Sequence, residues 1–149
     1  MILDTLTLLS DDQDISQAAG AYYSDILNLQ GDAGYTTSAD APNGVTNDLG
    51  KGYAVELLCM LTETVTSGGA ATLVAVLETA TDEVFTSPIA LVTSKTFALA
   101  DLVVGTYLLP QHVPYGTLQY VRIKYTIGTA TTTAGLVTAG IACGIQSNG

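Results

Sequence analysis

The sequence predicts an all-β fold, a single-domain jelly roll or antiparallel β-sandwich with an N-terminal arm. Three observations carry that prediction. In 118–145, read LQYVRIKYTI-GTATTTAG-LVTAGIACGI, Val121, Ile123, Tyr125 and Ile127 alternate with Tyr120, Arg122, Lys124 and Thr126. Alternation at period two marks a strand with one buried face. Beyond the Gly/Thr-rich break, Val137, Ala139, Ile141, Cys143 and Ile145 resume it, which reads as a long antiparallel hairpin. At least seven such short runs follow one another at turn spacings of roughly 8–12 residues, the pattern of a sandwich rather than of βαβ units.

Taken in order, the opening 2–9 mixes Leu and Thr and reads as a short strand or extended arm. SDDQDIS follows at 10–16, with Ser10 or Asp11 placed to cap a helix over part of 12–22; Gly20 and the Tyr22, Tyr23, Ser24 cluster weaken that helix. A strand starts in 26–29. The segment 31–52, GDAGYTTSADAPNGVTNDLGKG, lacks periodicity and is rich in turn formers, so it reads as a long functional loop rather than a linker. From 53 the alternation is dense. Val55, Leu57, Cys59 and Leu61 share one face; Ser67, Gly68 and Gly69 read as a hairpin turn into a strand with Leu73, Ala75 and Leu77 on one face and Val74, Val76 and Glu78 on the other. Thr81, Asp82 and Glu83 break that strand. Two short runs, 84–86 and 89–97, flank Pro88, and 102–109 gives another before Pro110, Pro114 and Gly116. The organisation expected is one domain over 1–149: arm and first strand in 1–30, irregular loop in 31–52, main body in 53–149.

Composition bounds the function. The 149 residues suffice for one core, burying roughly 70% of the unfolded surface. Charged residues make up only 12% against 48% hydrophobic, whereas soluble domains carry about 25% charged. A skin so poor in charge is finished with Thr, Ser, Gly, Ala and apolar side chains, and such surfaces meet other proteins. An oligomer or assembly component is expected. Four basic residues against fourteen acidic ones give a net charge of −10, which lacks the cationic footprint phosphate binding requires. Nucleic acid and anionic membrane are therefore poor partners. No apolar run approaches the ~20 residues of a membrane span, and the start, MILDTLTLLSDDQD, does not read as a secretory signal. Cys59 and Cys143 fall on inward faces, where buried reduced thiols are the plainer reading and a disulfide stays open.

Catalytic and metal signatures are sparse. The single histidine, His112 in PQHVPYG, has no nucleophile context such as GxSxG. One His and two scattered Cys make no zinc set. The acidic cluster Asp11, Asp12 and Asp14 fails the EF-hand template, which would require glycine at Gln17 and glutamate at Tyr23. No enzyme, cofactor or metal is expected. Arg122 and Lys124 are half of the basic residues and lie two apart on one strand face. Either that face is simply solvated, or the two meet carboxylates on a partner, Arg with bidentate geometry. In the second case, reversing both charges weakens assembly and leaves the monomer folded.

With these elements laid out, the chain resembles the Bbp16-type capsid cement proteins of tailed bacteriophages. The resemblance lies in the opening MILD-x4-LS-x2-Q-x-I (Met1, Ile2, Leu3, Asp4, Leu9, Ser10, Gln13, Ile15), in SDILNL at 24–29, in GYAVELL at 52–58 and in ATLVAVLETATDEVFTSP at 71–88. It runs from end to end, with 31–52 matched least. What it implies is a jelly roll without an active site that binds the outer surface of an icosahedral shell and clamps neighbouring major capsid subunits. It also implies a symmetric homo-oligomer, a dimer ahead of a trimer, in the virion, made in the bacterial host cytoplasm. Contacts are expected from the arm (Met1, Ile2, Leu3, Asp4, Leu6), from the loop (Tyr35, Lys51) and from Arg122 and Lys124. Many weak repeated contacts on a lattice give avidity without one strong site. The alternative is a carbohydrate- or receptor-binding jelly-roll module of a phage tail or fibre, with Tyr22, Tyr23, Tyr35 and Tyr115 as aromatic platforms. A hydrolase ranks last.

Overall fold

The computed structural model describes residues 2–29 and 55–143, with positions 2–6 and 143 described through their backbone. Eleven strands follow one another: β1 (Ile2–Asp14), β2 (Gly20–Tyr23), β3 (Leu27–Asn28), β4 (Glu56–Leu61), β5 (Thr66–Ser67), β6 (Thr72–Ala80), β7 (Ile89–Thr93), β8 (Phe97–Ala98), β9 (Tyr120–Gly128), β10 (Thr132–Ala134) and β11 (Leu136–Cys143). The only helical turn among the described residues is a 3-10 turn at Leu99–Asp101. One sheet runs β1-β11-β4; the second runs β2-β9-β6-β7, with β3 also on β9 and β8 also on β6.

The open edge of β4 is closed by 105–113, which carries little regular strand geometry but the hydrogen bonds of one. Gly105 N donates to Leu61 O (2.8 Å), Leu108 N to Cys59 O (2.8 Å) and Val113 N to Val55 O (2.9 Å). Counting that segment, the first sheet takes the first, last, third and sixth of the main segments, and the second takes the second, seventh, fourth and fifth. That interleaving is the jelly-roll order, so the all-β sandwich expected from the sequence is the fold observed.

Alternation places the core. Val121, Ile123, Tyr125 and Ile127 of β9, Leu73, Ala75 and Leu77 of β6, Leu57, Cys59 and Leu61 of β4, and Val137, Ala139 and Ile141 of β11 all turn inward and are buried together. Tyr125 crosses the interior from the second sheet to the first. Its hydroxyl donates to Ser10 Oγ (3.0 Å), whose own proton goes to Gln13 Oε1 (2.7 Å). Gln13 Nε2 then donates to the carbonyl of Tyr23 (2.9 Å). A buried phenol is tolerable only with such a partner, and here the partner also ties the layers together.

The pairing differs from the sequence expectation at several places. Neither expected hairpin forms: β9 and β11 lie in opposite sheets, as do β4 and β6. Alternation reveals that a strand has a core face but not which sheet owns it. The two breaks read as hairpin turns are crossovers at one end of the sandwich, and there they pair with each other as β5 and β10. Thr132 N, at that end, donates to Gln17 O (3.0 Å), and Thr132 Oγ1 accepts from Gln17 N (2.9 Å), which fastens the β1–β2 crossover as well. Gly135 enters β11 with φ +140, and a Cβ there would come 2.9 Å from Val65 Cγ2, so the turn admits only glycine comfortably.

The expected N-terminal arm is an edge strand. From Ile2, opposite Cys143, to Asp14, opposite Leu136, β1 follows β11 with three register shifts. No helix forms in 12–22: β1 runs to Asp14, with Asp12 at φ +45, and the chain first enters the second sheet at Gly20. The run 84–86 is not a strand, 89–97 splits into β7 and β8, and 102–109 is an irregular edge bridged only at Met60–Tyr107. Cys59 is a free, buried thiol. It lies opposite Ala139, so Cys143 is four residues away along β11, about 13 Å at strand rise. That distance rules out a disulfide between them. The loop 31–52 lies outside the described residues.

Candidate interaction face

The outward face of the second sheet carries the structure's most specific polar arrangement. Register sets Glu78 of β6 opposite Arg122 of β9, and Val76 opposite Lys124. Both cations reach the same carboxylate: Arg122 donates through Nε (3.1 Å) and Nη2 (3.0 Å) to Glu78 Oε2, and Lys124 Nζ lies 3.1 Å from Oε1. The side chain of Glu78 is only 6% exposed, that of Arg122 14% and that of Lys124 31%. An unpaired carboxylate so deep on a sheet would be costly; two charge-assisted partners make it tenable.

Two aromatic rings close over the guanidinium. Tyr23 of β2 and Phe85 of the β6–β7 turn each stand 4.0 Å from Arg122 Cζ, within cation–π range. Phe85 reaches it through a backbone conformation that L side chains rarely adopt, φ +54. The turn around it is fixed by Asp82. Its Oδ1 accepts from Thr86 N (3.0 Å) and Thr86 Oγ1 (3.1 Å), and Phe85 N donates to Asp82 O (3.2 Å). These donors, the Thr86 backbone foremost, hold the Asp82 carboxyl below the ordinary carboxylate range.

Arg122 and Lys124 thus meet a carboxylate as expected, but it is Glu78 of their own chain. Reversing both charges would set three carboxylates together on one face and strain the monomer, so that substitution does not isolate assembly. The remaining described cation, Lys95, pairs with Asp101 (3.6 Å) and lies over Phe97. Every described cation is therefore committed within the chain. Ile2, Leu3, Asp4 and Leu6 lie on β1, in the other sheet from Arg122 and Lys124; Met1, Tyr35 and Lys51 fall outside the described residues.

Glu78 and Phe85 were missing from the expected set, and Tyr23 entered it only as an aromatic platform for sugar. Glu78 was readable, since it falls on the outward register of β6 as Arg122 does on β9. The role of Phe85 was not, because a positive φ in a non-glycine residue leaves no sequence signature.

Elsewhere among the described residues, the large apolar side chains exposed at the surface are Ile26, Val84, Ile89, Val103, Val104 and Tyr115. Tyr22 and Tyr23 point to opposite faces of β2, Tyr22 donating to Ala18 O (2.9 Å), and so do not make one aromatic platform. His112 sits exposed in the loop between Pro110 and Pro114. Among the described residues no three His, Cys, Asp or Glu side chains are grouped to hold a metal, and no helix is long and apolar enough to cross a membrane.

No curated protein matches the chain. The Bbp16 family model, in contrast, matches residues 9–141, which takes in nearly every element described above, from β1 to β11. The chain belongs to the Bbp16 family, a phage-associated family.

Proposed function

We propose that this protein is a phage virion structural protein, a cement or decoration protein that binds the outer capsid surface and clamps neighbouring major capsid subunits. The observation that carries the reading is the commitment of every described cation within a chain of net charge −10. Together with the exposed apolar side chains of the sandwich, this suits a binder whose partner supplies the positive charge. Membership of a phage-associated family agrees with that role. The partners proposed are the major capsid protein and further copies of this chain, a dimer ahead of a trimer, at the outer surface of the virion. No catalytic step, cofactor or nucleic acid enters the proposal.

Co-sedimentation with empty shells of the phage's major capsid protein tests it. Saturable binding at a fixed ratio to capsid subunits, and shells that survive higher temperature when coated, are the expected results. Shells left bare at micromolar protein would overturn it. The highly exposed Tyr115 keeps a carbohydrate-binding module as the second reading; saturable binding to one glycan on an array, without shell binding, would favour it.

A further inference from the structure

The β6–β7 turn, 81–88, combines features that seldom coincide by accident. Its middle residue, Val84, is 83% exposed, while the next, Phe85, is 5% exposed and buried against Arg122. Phe85 holds a positive φ, and Asp82 locks the turn through the backbone and hydroxyl of Thr86. A strained backbone persists where its surroundings over-determine it, and such sites are commonly functional. Here an aromatic anchor, a capping carboxylate and a buried ion cluster all hold one apolar side chain out into water. Presenting an apolar group rigidly costs solvation, but it removes the ordering entropy a flexible loop would lose on binding.

We propose that this turn is a preorganised docking knob: Val84 enters an apolar socket on another protein, and the rim of that socket supplies Lys or Arg against Glu83. Charge complementarity fixes the class of partner. Glu83 is exposed beside Val84, whereas Asp82 is occupied by Thr86. A second copy of this chain, at net charge −10, would meet Glu83 with like charge, and Arg122 and Lys124 already share Glu78. The socket therefore belongs to a different, more basic protein surface. The inference rests on the cement reading only in taking that surface to be the major capsid protein.

The test uses the full-length protein and empty shells of the phage's major capsid protein. Val84→Asp is expected to weaken binding at least tenfold, the scale of losing one buried valine, and Val84→Leu to retain it. Glu83→Lys weakens binding and flattens its salt dependence. Asp82→Ala, which frees the turn, also weakens binding. Thermal melting identifies a folded chain in each case, and Val84 and Glu83, being exposed, leave it unchanged. Wild-type binding that Val84→Asp and Asp82→Ala both match would overturn the knob and leave the cement reading standing. Shells that wild type itself does not bind would remove both.

Discussion

Removing the carboxylate of Glu78 strands two cations on the outer face of the second sheet, and the cost can be worked from the geometry. Opposite charges about 3 Å apart attract by roughly 5 kcal/mol at an effective dielectric near 20. Most of that is offset by desolvating a side chain that is 6% exposed and another that is 14% exposed. Breaking such a pair from one side costs about 3–5 kcal/mol, because the remaining charge stays buried. The lower end applies here: Lys124 is 31% exposed and can turn to water, and the rings of Tyr23 and Phe85 still flank the guanidinium. Glu78→Met should therefore lose about 3 kcal/mol, or roughly 6–12 °C in Tm for a chain of this length. Arg122→Met should cost about 1–2 kcal/mol, since Glu78 keeps Lys124. The double variant should come within about 1 kcal/mol of wild type, because no buried charge then lacks a partner. Urea denaturation of all four proteins at neutral pH, with equal m-values, measures the cycle. A Glu78→Met loss below about 1 kcal/mol, or a double variant equal to the sum of the singles, would refute the reasoning.

Three further outcomes are expected. Tyr125→Phe removes the hydroxyl that joins the two sheets through Ser10 and should cost about 1–2 kcal/mol, read as a shift of the urea midpoint; an unchanged midpoint would mean that the tie is energetically empty. Hydrogen bonds from Thr62 and Thr138 to Asp12, from Ser16 to Asp14 and from Thr86 to Asp82 hold these carboxyls below their ordinary value. The unfolded chain thus binds more protons, so their contribution is full above about pH 4 and is lost as pH falls through the folded values. Asp→Asn at the three sites should flatten the acid limb of a stability–pH curve, and an unaltered limb would count against them. Burial pushes the Cys59 thiol up to about 12, so in a Cys143→Ser chain a thiol reagent at pH 8 should label the unfolded protein quickly and the native one hardly at all; rapid native labelling would contradict the buried position.

Much of this fold is legible in the sequence, because burial leaves a period. The inward sets of β4, β6, β9 and β11 are the apolar residues that alternation picks out. Partnership between strands leaves no comparable trace. Val137 pairs with Leu61 and Ile127 with Leu73, and each pairing joins residues more than fifty positions apart. A Gly/Thr-rich break looks alike whether it turns a hairpin or vaults the sandwich. Arg122 and Lys124 stand out in the sequence by their scarcity and spacing, and the structure sets both against a carboxylate of their own chain. Their partner was overlooked because a lone glutamate in an apolar strand resembles an ordinary solvated position. Phe85 lay beyond reach for a different reason: sequence reports side-chain type, while its role depends on a backbone angle.

The closing pair of the first sheet has a consequence for how the chain is made. β1 has β11 as its ladder partner, with Ile2 opposite Cys143, so roughly 120 residues must be synthesised between the end of one strand and the start of the other. At about 5–20 residues per second, the ribosome releases β11 some 6–25 seconds after β1. Throughout that interval the first strand has no ladder partner, and the late, long-range closure makes for slow folding. Interruptions of register and charged side chains, here Asp11, Asp12 and Asp14, oppose the pairing of an edge strand with a neighbouring chain.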